Sequence, residues 1–386
     1  MEKLQLSRSD LANKSGVHLS EISRILNGKQ SLSIKNLDLL TEALALPQGS
    51  LYGDYIQECF NESGTLNRRK SKQFILRCAS MDNALIDDLL DLVLEEMSKT
   101  IRNQNCIVIF HAAEHLLEGE LEEKALELYG FVTENMPDHF SKEVAISYYR
   151  RFYILRLTDQ GKQAQAQMLE HLNFMPEKYQ ALSFVWITAT SYVQRKWDET
   201  LHYAIKLEKL AKTKDHYGIA LLYQSLALNC LGSPLEDILK LIDRYEKVND
   251  YYAEVAVGNR YCAYLDFGEF QYVDDYLEWL EARDDVRFGL PRVLEAYVGL
   301  KRYKDIEQIL KKYEKEIQEW ESYKDPYDVQ MYLRFRYAYS MYLFEIDRYS
   351  EGLDEVLDIA KRSKEMGNSE RFNQALLIYW QYRDYV

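Results

Sequence analysis

The sequence predicts an all-α chain in two parts, a small N-terminal group of short helices and a long array of paired helices. Three observations predict it. From about residue 103 onward helical periodicity is nearly continuous and strand signals are absent. A similar phrase recurs along that stretch at near-constant spacing. The first fifty residues hold closely spaced helix start and stop signals.

Composition sets the bounds. The chain has 386 residues, 47% of them hydrophobic, and six prolines, enough for two or three domains with a large core. No run of eighteen apolar residues is present, so no membrane span is expected, and the N-terminus lacks a signal-peptide pattern. Cys59, Cys78, Cys106, Cys230 and Cys262 show neither metal-ligand nor disulfide spacing, and are expected to be small buried hydrophobes in a reducing compartment. Net charge is −14, but residues 1–52 carry +1 and the remainder −15. Only the local field at a docking face matters for an anionic partner. A basic run, Arg68-Arg69-Lys70 with Lys72 and Arg77, reads either as a solvated helix face or as a flanking phosphate contact.

The head is the stretch Ser7–Asn36. Ser7 and Asp10 form a capping box, so a helix should begin at Arg8. Leu11 and Ala12 face inward, and Gly16 supplies a positive φ at a tight turn. Val17 plugs the space before a second helix from about Leu19 to Leu26. In that helix Ile22 and Ile25 point inward, with Leu26 flanking them, while Leu19, Ser20, Ser23 and Arg24 are left on the outer face. Asn27-Gly28 ends it, and a helix capped by Ser33 brings Leu37, Leu40 and Leu44 to the core. The order LA-(x3)-GV-(x4)-I-(x4)-NGK resembles the Xre/phage-repressor family of helix-turn-helix proteins. An ordinary helical hairpin that touches no DNA is the competing reading. The resemblance implies that Arg8 touches a phosphate and that Leu19, Ser20 and Arg24 occupy base-reading positions. His18 and Ser23 complete the reading face, and Asn27 and Lys29 hold the backbone. Arg24 suits guanine, because its planar fork can bond O6 and N7 together. Family members carry a full helix before the motif, whereas only Met1–Leu6 precede Ser7. That helix is expected to be abbreviated or to begin upstream, and the head to lean on residues 53–80 or on DNA.

The array is marked by its turns. EGELEEKALELY near Leu121, QRKWDETLHYAIKL near Trp197 and FGEFQYVDDYLEWL near Phe270 share one pattern with LKRYKDIEQILKKY near Tyr303 and EIDRYSEGLDEVL near Tyr349. Weaker versions lie near Gln163 and Leu235. Successive anchors are 42, 34, 38, 35, 33 and 46 residues apart, close to the tetratricopeptide length of about 34. The phrase resembles that family's turn, which implies a right-handed superhelix whose groove is lined by the first helix of each pair; a plain helical bundle is the alternative. The expected divisions are 1–52 for the head, 53–102 for a helical linker or cap, 103–366 for the array and 367–386 for a C-terminal capping or dimerisation helix. Most of the 31 tyrosines are expected to be scaffold, filling interhelical space with the hydroxyl on a partner or water.

A groove of this kind typically takes an extended peptide, and an asparagine amide can donate to and accept from a peptide bond together. Asn229 and Asn259 stand out in central first helices, with Tyr223, Gln224, Arg260 and Asp266 nearby; Tyr148, Arg151 and Tyr192 are earlier candidates. Each could equally be a solvated or salt-bridged helix residue. No catalytic, metal or cofactor constellation is expected: His111 and His115 lie in HAAEH, not HExxH, and there is no P-loop, Rossmann fingerprint or G-x-S-x-G.

Head and array together resemble the RRNPP family of peptide-responsive regulators of Gram-positive bacteria and their phages. Within it they are most like the AimR arbitrium receptors, with NprR- and PlcR-type regulators as near alternatives. The resemblance implies a non-enzymatic, cytoplasmic homodimer with two partners. One is a double-stranded operator, an inverted repeat; the other is a short linear signalling peptide. The alternative is a repeat scaffold that sequesters a partner protein, as Rap-type proteins do, with DNA binding secondary.

Overall fold

The computed structural model describes residues 6–81, 85–283, 286–323, 325–366 and 368–385. Among them every named element is helical, and no helix is long and apolar enough to cross a membrane. Two compact units divide the chain, Met1–Ser183 and Phe184–Val386. Met1–Gln5, where a helix preceding the motif would begin, lie outside the described residues.

The first unit opens with α1 (Arg8–Ser15), α2 (Leu19–Leu26) and α3 (Ile34–Ala43). The Ser7 hydroxyl accepts from the Asp10 N–H and the Asp10 carboxylate accepts from the Ser7 N–H, closing the predicted capping box. Gly16 ends α1 at φ 69°, donating to the Ala12 carbonyl, a conformation costly for any residue with a Cβ. Leu11, Val17 and Ile22 are the buried centre of this head, packed by Ala12, Leu39, Leu40, Ala43 and Leu44. Leu26 departs from expectation: it is 51% exposed, because α2 turns its end away from this small core.

The head does not stand alone. Ile34 and Leu37, on the other side of α3, belong to a larger core with Tyr52 and Tyr55 of α4 (Tyr52–Tyr55) and Phe74 of α5 (Arg68–Ser80). Arg77 of α5 donates to Asp38 of α3 at 3.0 Å and to the Tyr52 hydroxyl at 3.2 Å; Tyr52 in turn donates to Asp38. Lys70 pairs with Glu58 at 2.7 Å and Lys72 with the His115 ring at 3.1 Å. Three members of the basic run are thus held by other side chains of the unit, and Arg68 and Arg69 stay exposed. The amphipathic segment forms α6 (Leu85–Glu95), burying Ile86, Leu89 and Val93.

Seven helix pairs follow among the described residues: α7 (Lys99–Glu118) with α8 (Glu122–Asn135), α9 (Lys142–Leu155) with α10 (Gly161–Glu170), and α11 (Glu177–Val193) with α12 (Trp197–Leu210). Then come α13 (Lys214–Cys230) with α14 (Leu235–Tyr245), α15 (Asp250–Asp266) with α16 (Val273–Glu281), and α17 (Val286–Gly299) with α18 (Tyr303–Lys312). After the short α19 (Glu314–Trp320), α20 (Pro326–Glu345) pairs with α21 (Tyr349–Glu365), and α22 (Ser369–Tyr382) closes the chain. Each of the seven predicted turns falls at one of these junctions. The unit boundary lies inside α11.

Six of the junctions share one backbone device. Glu120, Arg195, Gly232, Gly268, Lys301 and Asp347 each sit in the left-handed region, at φ between 55° and 84°. In each, the next N–H reaches back five residues to a carbonyl of the first helix: Leu121 to Leu116, Lys196 to Ser191, Ser233 to Leu228, Glu269 to Tyr264, Arg302 to Tyr297 and Arg348 to Leu343. This is a Schellman cap, which satisfies orphan carbonyls and throws the chain into the next helix. The second helices need no side-chain cap after it, whereas first helices start on Ser98, Ser141, Thr213, Asn249 and Asp325. First helices of neighbouring pairs also pack on one another, as α13 on α15, α15 on α17 and α17 on α20.

The buried tyrosines act as predicted. Tyr129 donates to Glu114, Tyr297 to Asp274, Tyr313 to Glu281 and Tyr252 to the Asp215 carbonyl. Cys59, Cys78 and Cys106 are buried free thiols and Cys262 is partly buried, but Cys230 is exposed, because it ends α13 at its capping turn.

Candidate nucleic-acid interface and candidate ligand cavity

The eight residues expected to meet DNA gather on and around α2. Arg8, His18, Leu19, Ser20, Arg24, Asn27 and Lys29 are exposed, and Ser23 is half-buried. Local geometry gives some of them a prior task. His18 is the N-cap of α2: its Nδ1 accepts from the Ser20 N–H at 3.2 Å and meets the Ser20 hydroxyl at 2.8 Å. Arg24 donates from Nε to the Ser20 carbonyl at 3.3 Å, which lays its stem along the helix and leaves the outer fork exposed. The Lys29 N–H closes the helix end onto the Arg24 carbonyl at 2.8 Å, with Gly28 at φ 67° before it.

Sequence reasoning missed Glu21. Its Oε1 accepts from Gln30 at 2.9 Å and from Asn36 at 2.8 Å, tying α2 to the following loop and to α3. A glutamate in a first turn usually signals a capping box; here it reaches forward, which only the tertiary fold reveals. The hydroxyl of Ser7 bonds the Asp10 carboxylate and holds it below its usual range, so this acid stays engaged with the cap.

Residues 1–47 match the family described as helix-turn-helix. The head is therefore a helix-turn-helix, and the chain carries the DNA-binding domain of a transcription regulator. No curated protein matches the chain.

The second unit holds a cavity of about 510 Å³. It is walled mainly by first helices: Tyr192 from α11, Tyr223 and Asn229 from α13, Gly258 and Asn259 from α15, Phe288 and Arg292 from α17, and Tyr327 from α20. Tyr276 and Trp279 of α16 add a stacked aromatic pair at 6.2 Å between centroids. Gly258 is required here by close approach, since a Cβ would strike the Trp279 indole. Tyr192 and Tyr223 meet edge to face at 5.5 Å, and burial pushes both phenols above their ordinary pKa.

Polar groups are few, and two of them, Asn229 and Arg292, meet on one carboxylate. Asp266 takes both ends of the Arg292 fork at 2.9 Å, an Arg334 nitrogen at 2.9 Å and the Asn229 amide at 2.7 Å. Burial pushes the Asp266 carboxyl up, but the two guanidiniums outweigh it and hold it well below the usual carboxylate range. The Asn229 Oδ1 is buried and has no hydrogen-bond partner among the described residues. Asn259 donates to the Tyr245 hydroxyl at 3.0 Å.

Of the nine residues expected to hold a peptide, the structure brings Tyr192, Tyr223, Asn229 and Asn259 to this cavity, with Asp266 behind Asn229. Two others point elsewhere. Gln224 donates to Glu208 at 2.7 Å, and Arg260 pairs with Asp243 at 2.9 Å and Glu246 at 3.0 Å on α14. Helix geometry gives the reason: Arg260 is rotated about 100° from Asn259, and Gln224 about 140° from Asn229, at 3.6 residues per turn. Tyr148 and Arg151 belong to the first unit. There Tyr148 stacks on His171 at 4.1 Å and Arg151 donates to Thr133 at 2.9 Å. Sequence reasoning missed Arg292, Arg334, Trp279 and Tyr327, whose convergence depends on which faces meet across three pairs. The HAAEH pair holds no metal cluster among the described residues; His115 bonds Lys72 and Glu118 instead.

Proposed function

We propose that this protein is a sequence-specific DNA-binding regulator whose affinity for its operator is set by a short linear peptide bound in the second unit. It works as a homodimer in the cytoplasm of a bacterial host, on an inverted-repeat operator. The observation that carries the reading is a helix-turn-helix joined to a ligand-sized cavity with an unmet asparagine acceptor. A volume near 510 Å³ with aromatic walls and few convergent polar groups is typical of a ligand site. An unpaired buried amide oxygen costs about 1–3 kcal/mol, and a peptide N–H would remove that cost.

The helix pairs, their near-constant spacing and their Schellman turns support a tetratricopeptide-like array. Dimerisation is supported by α22, which packs Tyr382 on Phe344 at 4.0 Å yet leaves Leu377 70% and Trp380 58% exposed on its other side. Two heads joined through their C-terminal ends would read two half-sites, and a ligand can favour one arrangement only by its differential affinity for it.

The test begins with selection of duplexes from a random pool by the full chain. One enriched motif, bound with steep salt dependence, is the expected result. Arg24→Ala should cost about 1–3 kcal/mol at one base pair and relax preference there. No enrichment, or a loss equal for every sequence, contradicts the assignment of α2 as the reader.

A further inference from the structure

Beside the aromatic cavity lies a second one of about 250 Å³, which shares Tyr192, Val193, Arg292 and Tyr327 with it. Its walls carry four arginines, Arg195, Arg292, Arg334 and Arg371, against one acid, Glu295. Three of the four are accounted for. Arg292 grips Asp266 with two bonds of 2.9 Å. Arg334 grips Glu295 at 2.9 and 2.5 Å and also reaches Asp266. Arg195 donates twice to Glu370, at 3.2 and 2.9 Å. Arg371 has no carboxylate and no side-chain acceptor among the described residues; its guanidinium lies over the Tyr337 ring at 5.1 Å.

Four guanidiniums therefore meet three carboxylates, leaving one surplus positive charge on Arg371. The contact with the Tyr337 ring does not neutralise that charge, which stands beside other arginines. Burial, with Arg195 and Arg334 close by, lowers the Arg371 pKa and outweighs the opposite pull of Glu295, which is itself bonded to Arg334. The missing counter-charge has a definite chemistry. A planar fork pairs best with a planar, bidentate anion, and one surplus charge matches a monoanion.

We infer that the chamber around Arg371 is a carboxylate subsite, occupied by a carboxylate of the ligand whose apolar part fills the adjoining aromatic cavity. The inference rests on the peptide reading proposed above. The carboxylate belongs either to the chain end of that peptide or to an acidic side chain, and the site chemistry is the same for both.

Three pools of synthetic hexapeptides, incubated with the full chain and recovered by ultrafiltration and mass spectrometry, test it. The first has free C-termini and no Asp or Glu. The second has amidated C-termini and no Asp or Glu. The third is amidated and carries one Asp or Glu. Retention from the first pool assigns the chain end, and retention from the third assigns a side chain. Binders should lose about ten- to a hundredfold in affinity when the carboxylate is removed. Arg371→Met should cause a similar loss, and Arg371→Lys a smaller one. Because Arg371 has no ion pair to lose and a methionine can keep the apolar contact with the Tyr337 ring, the unliganded Arg371→Met protein should melt at the same temperature as wild type or higher. Equal retention from the second pool overturns the carboxylate subsite and leaves the peptide reading standing. Retention from no pool overturns both, and a clear fall in melting temperature for unliganded Arg371→Met overturns the surplus-charge argument.

Discussion

Asp266 shows how one side chain organises a site. It sits under the cavity with two guanidiniums and an amide on its two oxygens. Removing one partner of such a buried group leaves the others uncompensated, so Asp266→Asn should destabilise the chain by about 3–5 kcal/mol in denaturant unfolding. The penalty depends on pH. The pKa of Asp266 is lower in the folded chain than its ordinary 3.8, so the stability it contributes is complete above about pH 4. That stability is lost as pH falls toward the folded value. The gap between wild type and Asp266→Asn should therefore be wide at pH 7 and shrink at pH 2.5; an equal gap at both would mean that the carboxylate is not held by its arginines. None of this was legible beyond a candidate role for Asp266. Arg292 lies 26 residues away along the chain and Arg334 lies 68, and no local pattern pairs them with it. Gly258 belongs to the same scale: Gly258→Ala should drive Trp279 into the cavity and cost about 1–3 kcal/mol of stability. Ligand binding should weaken in parallel, and unchanged binding would move the ligand elsewhere.

At the scale of elements, the junctions were the most legible feature of the array. The recurring phrase marks, at six of the seven junctions, where a Schellman cap ends one helix and the next begins, and such a cap needs one residue at positive φ. Two junctions use glycine there, at Gly232 and Gly268. Four use Glu120, Arg195, Lys301 and Asp347, each bearing the left-handed penalty of a side chain. Glu120→Gly and Lys301→Gly should therefore raise stability by about 0.5–1 kcal/mol, despite the added freedom of the unfolded chain. A loss of stability at both would show that these turns are not strained. The Gln163 junction is the exception: it was one of two weaker matches in sequence, and no left-handed residue lies between α9 and α10, whereas the other weak match, near Leu235, has its cap at Gly232. The head was read nearly residue by residue, because caps are local: Ser7, Gly16, Asn27 and Ser33 act where the sequence placed them. What stayed hidden was α3 packing on two sides, against the head through Leu39 and Leu40 and against α4 and α5 through Ile34 and Leu37. That shared helix, with the Arg77–Asp38 pair, is how the head leans on residues 53–80.

At the scale of the molecule, a head of charge +1 is joined to a body of charge −15. Affinity for DNA should come from the local face of α2, with the acidic body opposing non-specific wrapping. The proposed inverted-repeat operator calls for two heads, one for each half-site. Leu377→Asp with Trp380→Glu should shift the full chain from dimer to monomer in light scattering and weaken operator binding by tenfold or more. Persistence of the dimer would place the interface elsewhere. The coupling between ligand and DNA is the remaining link. It is tested by fluorescence anisotropy of a selected operator duplex with the full chain, with and without a saturating retained hexapeptide. The operator affinity should change at least tenfold with peptide, and that change should be largely lost in Asn229→Ala while its peptide-free DNA affinity stays within about twofold of wild type. An operator affinity that stays the same while the peptide is demonstrably bound would contradict control of the head by the cavity.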